Sequence, residues 1–192
     1  MSDSPSQPFD KSRKGICIGE AAAAVIVSKE KLPTAPFSVI YCGGSSSNDA
    51  NHISGPSRTG EGLFRSINSA LKEANLEANK IDYISAHGTA TMYNDEMEAI
   101  AFNRHGLQNV PVNSLKGYYG HTLGASGLLE TVLSIESANN NKLIVSKGYT
   151  NCGVTQPINI ISETKQHEIK YFLKTASGFG GCNTAVLFEK MN

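Results

Sequence analysis

Two histidines stand beside glycines in segments that could bind and activate a carbonyl group. His87 lies in "SAHGTAT" (85 to 91), at the end of a strand-like run, and His121 lies in "YYGHTLG" (118 to 124), where the third helix is expected to begin. A neutral imidazole can donate one N–H to a carbonyl oxygen that becomes negative in a transition state. Two such donors in matching places favour a shared site for an enolate or an oxyanion.

The surroundings of His121 favour the neutral ring. A helix N-terminus carries a partial positive charge, and Lys116 lies five residues upstream, so both disfavour an added proton. Gly120 and Gly124 leave room for a substrate or another backbone to approach, although close packing of a helix on a sheet explains Gly124 equally well. A satisfied structural histidine is the alternative interpretation for either ring.

The segments that must position these residues alternate between strand-like and helix-like patterns. The sequence predicts extended runs over 15 to 30, 37 to 44 and 81 to 88, helices over 60 to 75, 95 to 106 and 121 to 138, and a closing antiparallel pair over 169 to 177 and 184 to 190. In open α/β sheets, ligands bind beyond the carboxyl ends of the strands. The pattern therefore predicts an α/β fold whose site lies at the loops bearing the two histidines.

Composition excludes several classes of partner and site. Lys+Arg and Asp+Glu both total 17, so there is no excess charge for binding nucleic acid or an anionic membrane. No apolar run reaches the roughly 18 residues of a membrane span, and no signal peptide is evident at the start, which makes the cytoplasm the expected location. The 4 cysteines stand far apart without a CxxC pair, so neither a metal site nor a disulfide framework is expected.

Four motifs in order carry a resemblance to a known family. They are "PFDKSRKGICIGEAAAAVIV", "AHGTATMYNDEMEAIA", "NSLKGYYGHTLGASGLLE" and "SGFGGCNTAVLFEK". They resemble β-ketoacyl-acyl carrier protein synthases, the condensing enzymes of the thiolase-like superfamily. The resemblance covers nearly the whole chain but only the second half of the family's chain. It implies that residues 1–34 end the N-terminal half and that residues 35–192 form the C-terminal domain.

The resemblance also implies a fold and a reaction. The expected fold is a thiolase-like half-fold, a five-stranded mixed sheet with helices packed on it, preceded by a hairpin from the N-terminal half. The expected reaction is the decarboxylative Claisen condensation of malonyl-acyl carrier protein with an acyl thioester, in fatty-acid or polyene synthesis. His87 and His121 resemble the histidines that stabilise the enolate, Lys116 the lysine that tunes them, and Glu130 the carboxylate that pairs with this lysine.

Further residues resemble the binding site of the thioester arm. Thr89 and Thr91 resemble hydroxyls that contact the phosphopantetheine arm, and Phe179 with Gly180 resembles the gate beside the oxyanion hole. No cofactor of the protein's own is implied, because the acyl carrier protein brings this arm. The expected partners are the acyl carrier protein and, for a full-length enzyme, a second copy. Local hydrogen bonds to the backbone for the threonines, a core position for Phe179 and a solvated position for Glu130 are the alternatives.

The chain departs from the family at several points. The family's nucleophilic cysteine belongs to its first half, and all 4 cysteines here are expected to be structural, which predicts an inactive isolated chain. Ala90 and Met92 replace a glycine and a proline, and Ser177 replaces a phenylalanine. Three alternatives to a synthase half remain: a non-catalytic partner like a chain-length factor, a stand-alone half that pairs with another chain, and a thiolase-like relative that uses coenzyme A.

Overall fold

The computed structural model describes residues 1–33, 35, 38–50, 52 and 55–191. Its main feature is a six-stranded sheet, accompanied by a two-stranded one. The larger sheet contains β1 (Val39–Asn48), β2 (Tyr83–Ser85), β3 (Pro111–Asn113), β5 (Asn159–Ile160), β7 (Tyr171–Gly178) and β8 (Cys182–Lys190), and the smaller one β4 (Lys142–Leu143) and β6 (Lys165–Gln166).

The larger sheet is mixed, with the order β1-β8-β7-β2-β3-β5. Strands β1, β8 and β7 pair antiparallel, whereas β7, β2, β3 and β5 run parallel to one another. This confirms the predicted α/β class, the mixed sheet and the closing antiparallel pair. The sheet has six strands rather than the predicted five, because the two-residue β5 pairs beside β3 at one edge.

The helices connect these strands and cover the sheet. They are α1 (Glu61–Ala74), α2 (Met92–Arg104), α3 (Lys116–Tyr119) and α4 (Ser126–Asn139). The predicted apolar stripe of α1 is confirmed, since Leu63 and Ile67 are fully buried, and each such side chain contributes roughly 1.5–3 kcal/mol. No helix in the described part of the chain is long and apolar enough to cross a membrane.

The hairpin predicted over residues 15 to 30 is not formed. Within this segment the described backbone makes a single parallel bridge, between Ile18 and His121, and Ile26 and Val27 are 82% and 89% exposed. The alternating apolar pattern suits a strand, but a strand needs a partner for its backbone groups. Beyond this bridge, the described residues form no β-pairing with the segment, although single hydrogen bonds join Ser2 to Ile16 and Gly15 to Ala90.

Residues 1 to 19 pack instead against the loops that carry the histidines. Phe9 is fully buried, and its N–H donates to Asp95 Oδ2 (2.7 Å) at the start of α2. The Gly15 N–H donates to the carbonyl of Ala90 (2.9 Å). The predicted division after residue 34 stays a prediction, and Thr34 itself and the nearby Pro36 lie outside the described residues.

Candidate active site

The topology brings the two histidine-bearing loops to one edge of the sheet. Strands β2 and β3 run parallel as neighbours, with Ser85 opposite Asn113. The segments that follow them therefore leave the sheet side by side. The Ser114 hydroxyl, just after β3, donates to the carbonyl of Gly88 (2.7 Å), just after β2, and so ties the two loops together.

The two imidazole rings converge, as the sequence predicted. The ring centroids of His87 and His121 lie 5.0 Å apart, and the ring planes meet at 80°. Only 5% of His87 and 9% of His121 is exposed, and both residues line one cavity of about 670 Å³. A single small group in that cavity can therefore approach both rings.

His121 is held by its backbone, just before a helical segment begins. A 3₁₀ turn over Leu123–Ala125 leads directly into α4, so this segment begins two residues after the predicted start at residue 121. The His121 N–H donates to the carbonyl of Cys17 (2.7 Å), and its carbonyl accepts from the N–H of Gly19 (3.1 Å). These two bonds hold the residue against the N-terminal segment.

Two glycines make this close approach of two backbones possible. A Cβ on Gly19 would lie only 1.7 Å from the carbonyl oxygen of Tyr119, and Gly120 has a φ of 76°. A positive φ strains any residue with a Cβ. Gly120 therefore makes room for another backbone, whereas Gly124 and Gly127 line the cavity, and a Cβ on Gly124 would meet nothing within 4 Å.

The hydrogen bonds of both rings fix which nitrogen carries the proton. His121 Nδ1 accepts from the backbone N–H of Leu123 (3.1 Å). His87 Nδ1 lies 3.3 Å from the Lys116 ammonium, which has donors and no acceptor. In a neutral imidazole, one nitrogen accepts while the other carries the hydrogen. Each ring therefore keeps Nε2–H free to donate.

Both rings are held in the neutral form. Burial, followed by the charge of Lys116, places the pKa of His87 well below its usual value and lowers the pKa of His121 from 6.5 to about 4. Burial takes the place of the helix N-terminus that the sequence suggested as the cause. Because folding lowers these pKa values, the stability contribution of the neutral rings is present above pH 6.5 and is lost as the pH falls towards 4.

The predicted contact between Lys116 and Glu130 is present and fully buried. The Lys116 ammonium lies 2.5 Å from Glu130 Oε1, which also accepts from the Ser126 hydroxyl (2.9 Å). A solvated position for Glu130 is thereby excluded. The ammonium also donates to the carbonyl of His87 and faces its Nδ1, so Lys116 holds His87 as well.

Two charged residues of the site escaped the sequence analysis. Glu98 in α2 accepts from the N–H groups of His87 (2.8 Å) and Gly88 (2.6 Å), and Lys174 in β7 lies 2.6 Å from Glu130 Oε2. In the sequence, Glu98 stands among the acidic residues that begin the helix predicted over 95 to 106, where such residues are usually solvated. The available signal was a charge among apolar neighbours, as in "YFLKTAS", because a buried charge requires a partner.

The residues expected near the thioester arm fall on the same cavity, with one exception. Thr89, Thr91 and Phe179 line it, and Phe179 is 77% exposed and so is not a core aromatic. Thr91 also caps α2, since its Oγ1 accepts from the N–H of Asn94 (3.3 Å). Gly180 supplies a turn with a φ of 80° but does not line the cavity.

One departure from the family's motifs, Ser177, lies in the cavity wall, and another, Ala90, stands between two threonines that line it. Ala90 has a φ of 63°, a left-handed conformation that favours the glycine it replaces. Ser177 lines the cavity and donates to Asn183 Oδ1 (2.8 Å). All 4 cysteines are free thiols, and Cys182, predicted to be structural, borders the cavity.

Curated relatives match the chain over almost its full length. It is 34% identical over 192 residues to 3-oxoacyl-[acyl-carrier-protein] synthase 2 of Rhizobium meliloti, covering 96% of this chain and 45% of the relative. It is 31% identical over 197 residues to a putative mitochondrial 3-oxoacyl-[acyl-carrier-protein] synthase of Schizosaccharomyces pombe, covering 96% of this chain and 46% of the relative. The chain thus spans about half the length of the curated relatives it matches.

Solved structures share the fold. A β-ketoacyl synthase from Burkholderia phymatum matches with a TM-score of 0.85 and 29% identity, over 97% of this chain and 46% of that one. A ketosynthase in complex with its chain length factor from Xenorhabdus doucetiae matches with a TM-score of 0.87 and 28% identity, over 100% of this chain and 47% of that one.

A family model describes the central part of the chain directly. The model for the C-terminal domain of β-ketoacyl synthase matches residues 37–149, which is more than half of the sequence and includes both histidines, Lys116 and Glu130. The relatives and the fold agree with this match. The chain therefore belongs to the β-ketoacyl synthase family and corresponds to its C-terminal half.

Proposed function

We propose that this chain supplies the enolate-stabilising half of a β-ketoacyl-acyl carrier protein synthase. The supporting observation is the pair of neutral imidazoles, His87 and His121, whose Nε2–H groups are free at one cavity. A thioester enolate carries its negative charge on the former carbonyl oxygen. Two preorganised neutral donors stabilise that charge without first giving up a proton.

In the proposed reaction, the malonyl thioester oxygen accepts hydrogen bonds from both Nε2–H groups. The bond between the malonyl carboxylate and the α-carbon breaks, carbon dioxide leaves, and the electron pair moves into the enolate. The enolate α-carbon then attacks the acyl thioester carbonyl, and the thiolate that held the acyl group leaves. Lys116 and Glu130 hold His87 in place for the first step, because Lys116 contacts both its carbonyl and its Nδ1.

The proposed substrate arrives on an acyl carrier protein, whose phosphopantetheine arm passes Thr89, Thr91 and Phe179 in the cavity wall. A similar structure, with a TM-score of 0.85 and 26% identity, is a ketosynthase in complex with its acyl-carrier protein. This likeness supports the same partner here. The whole synthase is proposed to be a homodimer that acts in the cytoplasm, in fatty-acid or polyene synthesis.

We expect the isolated chain to be inactive and a chimaera to be active. The chimaera joins residues 1–192 to the first half of the Rhizobium meliloti synthase, in place of its matching second half. A covalent acyl intermediate requires an activated nucleophile, which none of the free thiols here is expected to provide. Malonyl decarboxylation and condensation, measured with malonyl- and acyl-carrier proteins, should therefore be near background for the chain and substantial for the chimaera.

Two outcomes would contradict this proposal. Condensation by the isolated chain, abolished by Cys182→Ala, would identify the thiol at the cavity as the nucleophile. A folded chimaera that neither decarboxylates nor condenses would favour a non-catalytic subunit like a chain-length factor, which needs no enolate donors. The Rhizobium meliloti enzyme itself serves as the positive control.

A further inference from the structure

Lys174 is a buried ammonium that the proposed reaction has not yet used. It lies in β7 and is 3% exposed. Its three hydrogens face four acceptors, namely Glu130 Oε2 (2.6 Å) and the carbonyl oxygens of Thr175 (2.7 Å), Ser85 (3.2 Å) and Ala86 (3.4 Å). Burial of an ammonium is unfavourable unless its hydrogens are all bonded and its charge is paired. Lys174 meets both conditions, so it is an integral part of the buried charge network of the site.

The carboxylate of Glu130 is shared between two ammonium groups. Lys116 holds Oε1 at 2.5 Å and Lys174 holds Oε2 at 2.6 Å. Burial acts to raise the pKa of Glu130, but the two lysines outweigh it and keep that pKa below its usual value. Glu98 from α2, another buried carboxylate nearby, accepts from the backbone N–H groups of His87 and Gly88 and from the Thr175 hydroxyl. Glu130 is therefore the carboxylate that sets where the two ammonium groups lie.

The three hydrogens of Lys116 are fully assigned in this arrangement. One goes to Glu130 Oε1, one to the carbonyl of His87 and one towards His87 Nδ1. If Glu130 Oε2 lost its own cation, it would compete for the third hydrogen. The bond to His87 Nδ1 is the longest of the three at 3.3 Å and would be the first to be lost.

We propose that Lys174 is a positioning residue for His87, an inference that rests on the proposed function. It occupies the second oxygen of Glu130, so that Lys116 keeps a hydrogen on His87 Nδ1 and holds His87 as an Nε2–H donor. His121 does not depend on this chain of contacts, because the N–H of Leu123 fixes its tautomer separately. Removal of Lys174 should therefore disturb the tautomer of His87 and leave that of His121 unchanged.

The test is ¹⁵N NMR of the histidine rings in the 192-residue chain, comparing the unchanged protein with Lys174→Met and Lys174→Gln. In both variants we expect His87 Nδ1 to become partly protonated while His121 Nδ1 stays unprotonated. Loss of one positive charge beside the rings should also raise the His87 titration midpoint. Lys170→Met is the matched control, because Lys170 is an exposed lysine next to β7 that pairs with Glu189, and it should change neither result.

An unchanged His87 tautomer in the folded variants would overturn the proposal, even if the titration midpoint rises, because loss of the Lys174 charge alone raises that midpoint. Loss of folding in both variants would also count against it, because Lys174 would then be a structural ion-pair residue. The ring measurements and the activity assay can fail separately. An inactive chimaera would contradict the proposed function and would leave the ring measurements unaffected. An active chimaera, together with an unchanged His87 tautomer in the Lys174 variants, would refute only the role of Lys174.

Discussion

Replacing His121 by alanine in the chimaera is expected to lower malonyl decarboxylation by roughly two to three orders of magnitude, the usual cost of losing one oxyanion donor. The variant removes one of the two Nε2–H groups at the cavity, and His87 alone cannot replace it from 5.0 Å away. Two backbone bonds, to Cys17 and Gly19, hold residue 121 in place and remain in the alanine variant, which loses only the side-chain acceptor of the Leu123 N–H. The measurement is the rate of carbon dioxide release from malonyl-acyl carrier protein.

His167→Ala is the control for this experiment. Residue 167 is held by a backbone bond to the carbonyl of Asn141 (2.8 Å), and His167 does not line the cavity. We expect its variant to decarboxylate at the rate of the unchanged chimaera. A His121→Ala enzyme that keeps more than about a tenth of the rate would contradict the role of His121 as an oxyanion donor.

Glu130→Gln is expected to lower the free energy of unfolding of the chain by about 3–5 kcal/mol, because it leaves two buried ammonium groups without their shared anion. Both Lys116 and Lys174 have side chains that are at most 4% exposed, so water cannot take over this role. The measurement is urea unfolding followed by circular dichroism, with the slope compared between variants.

Two further variants make the Glu130 experiment specific. Glu136→Gln changes an exposed residue of the same helix, whose carboxylate accepts from the Asn140 side chain, and should cost less than about 0.5 kcal/mol. Adding Lys174→Met to Glu130→Gln removes one unpaired charge and should recover part of the loss. Equal stability of Glu130→Gln and Glu136→Gln would mean that the buried ion pairs contribute nothing measurable.

Local patterns predicted the framework of the site correctly. The apolar stripe of α1 and the antiparallel pair β7 and β8 depend on neighbours in sequence, which periodicity reports directly. The meeting of His87 and His121 followed from their places after adjacent strands. Their neutral state was predicted as well, but the cause is burial, which a linear sequence does not show.

The errors concern contacts between distant segments. The predicted strands in residues 15 to 30 form no ladder with the described residues, and their one bridge, between Ile18 and His121, joins segments about a hundred residues apart in sequence. Lys174 was passed over inside an apolar strand. Its partner Glu130 is 44 residues away, so no local pattern links the two.

The most direct test of the central claim is ¹⁵N NMR of His87 and His121 in the unchanged chain. We predict that at pH 7 both rings are neutral, with hydrogen on Nε2 and none on Nδ1. We also predict that His121 gains its second proton only near its pKa of about 4. An imidazolium at pH 7, or hydrogen on Nδ1 of either ring, would contradict the claim that the site presents two neutral Nε2–H donors.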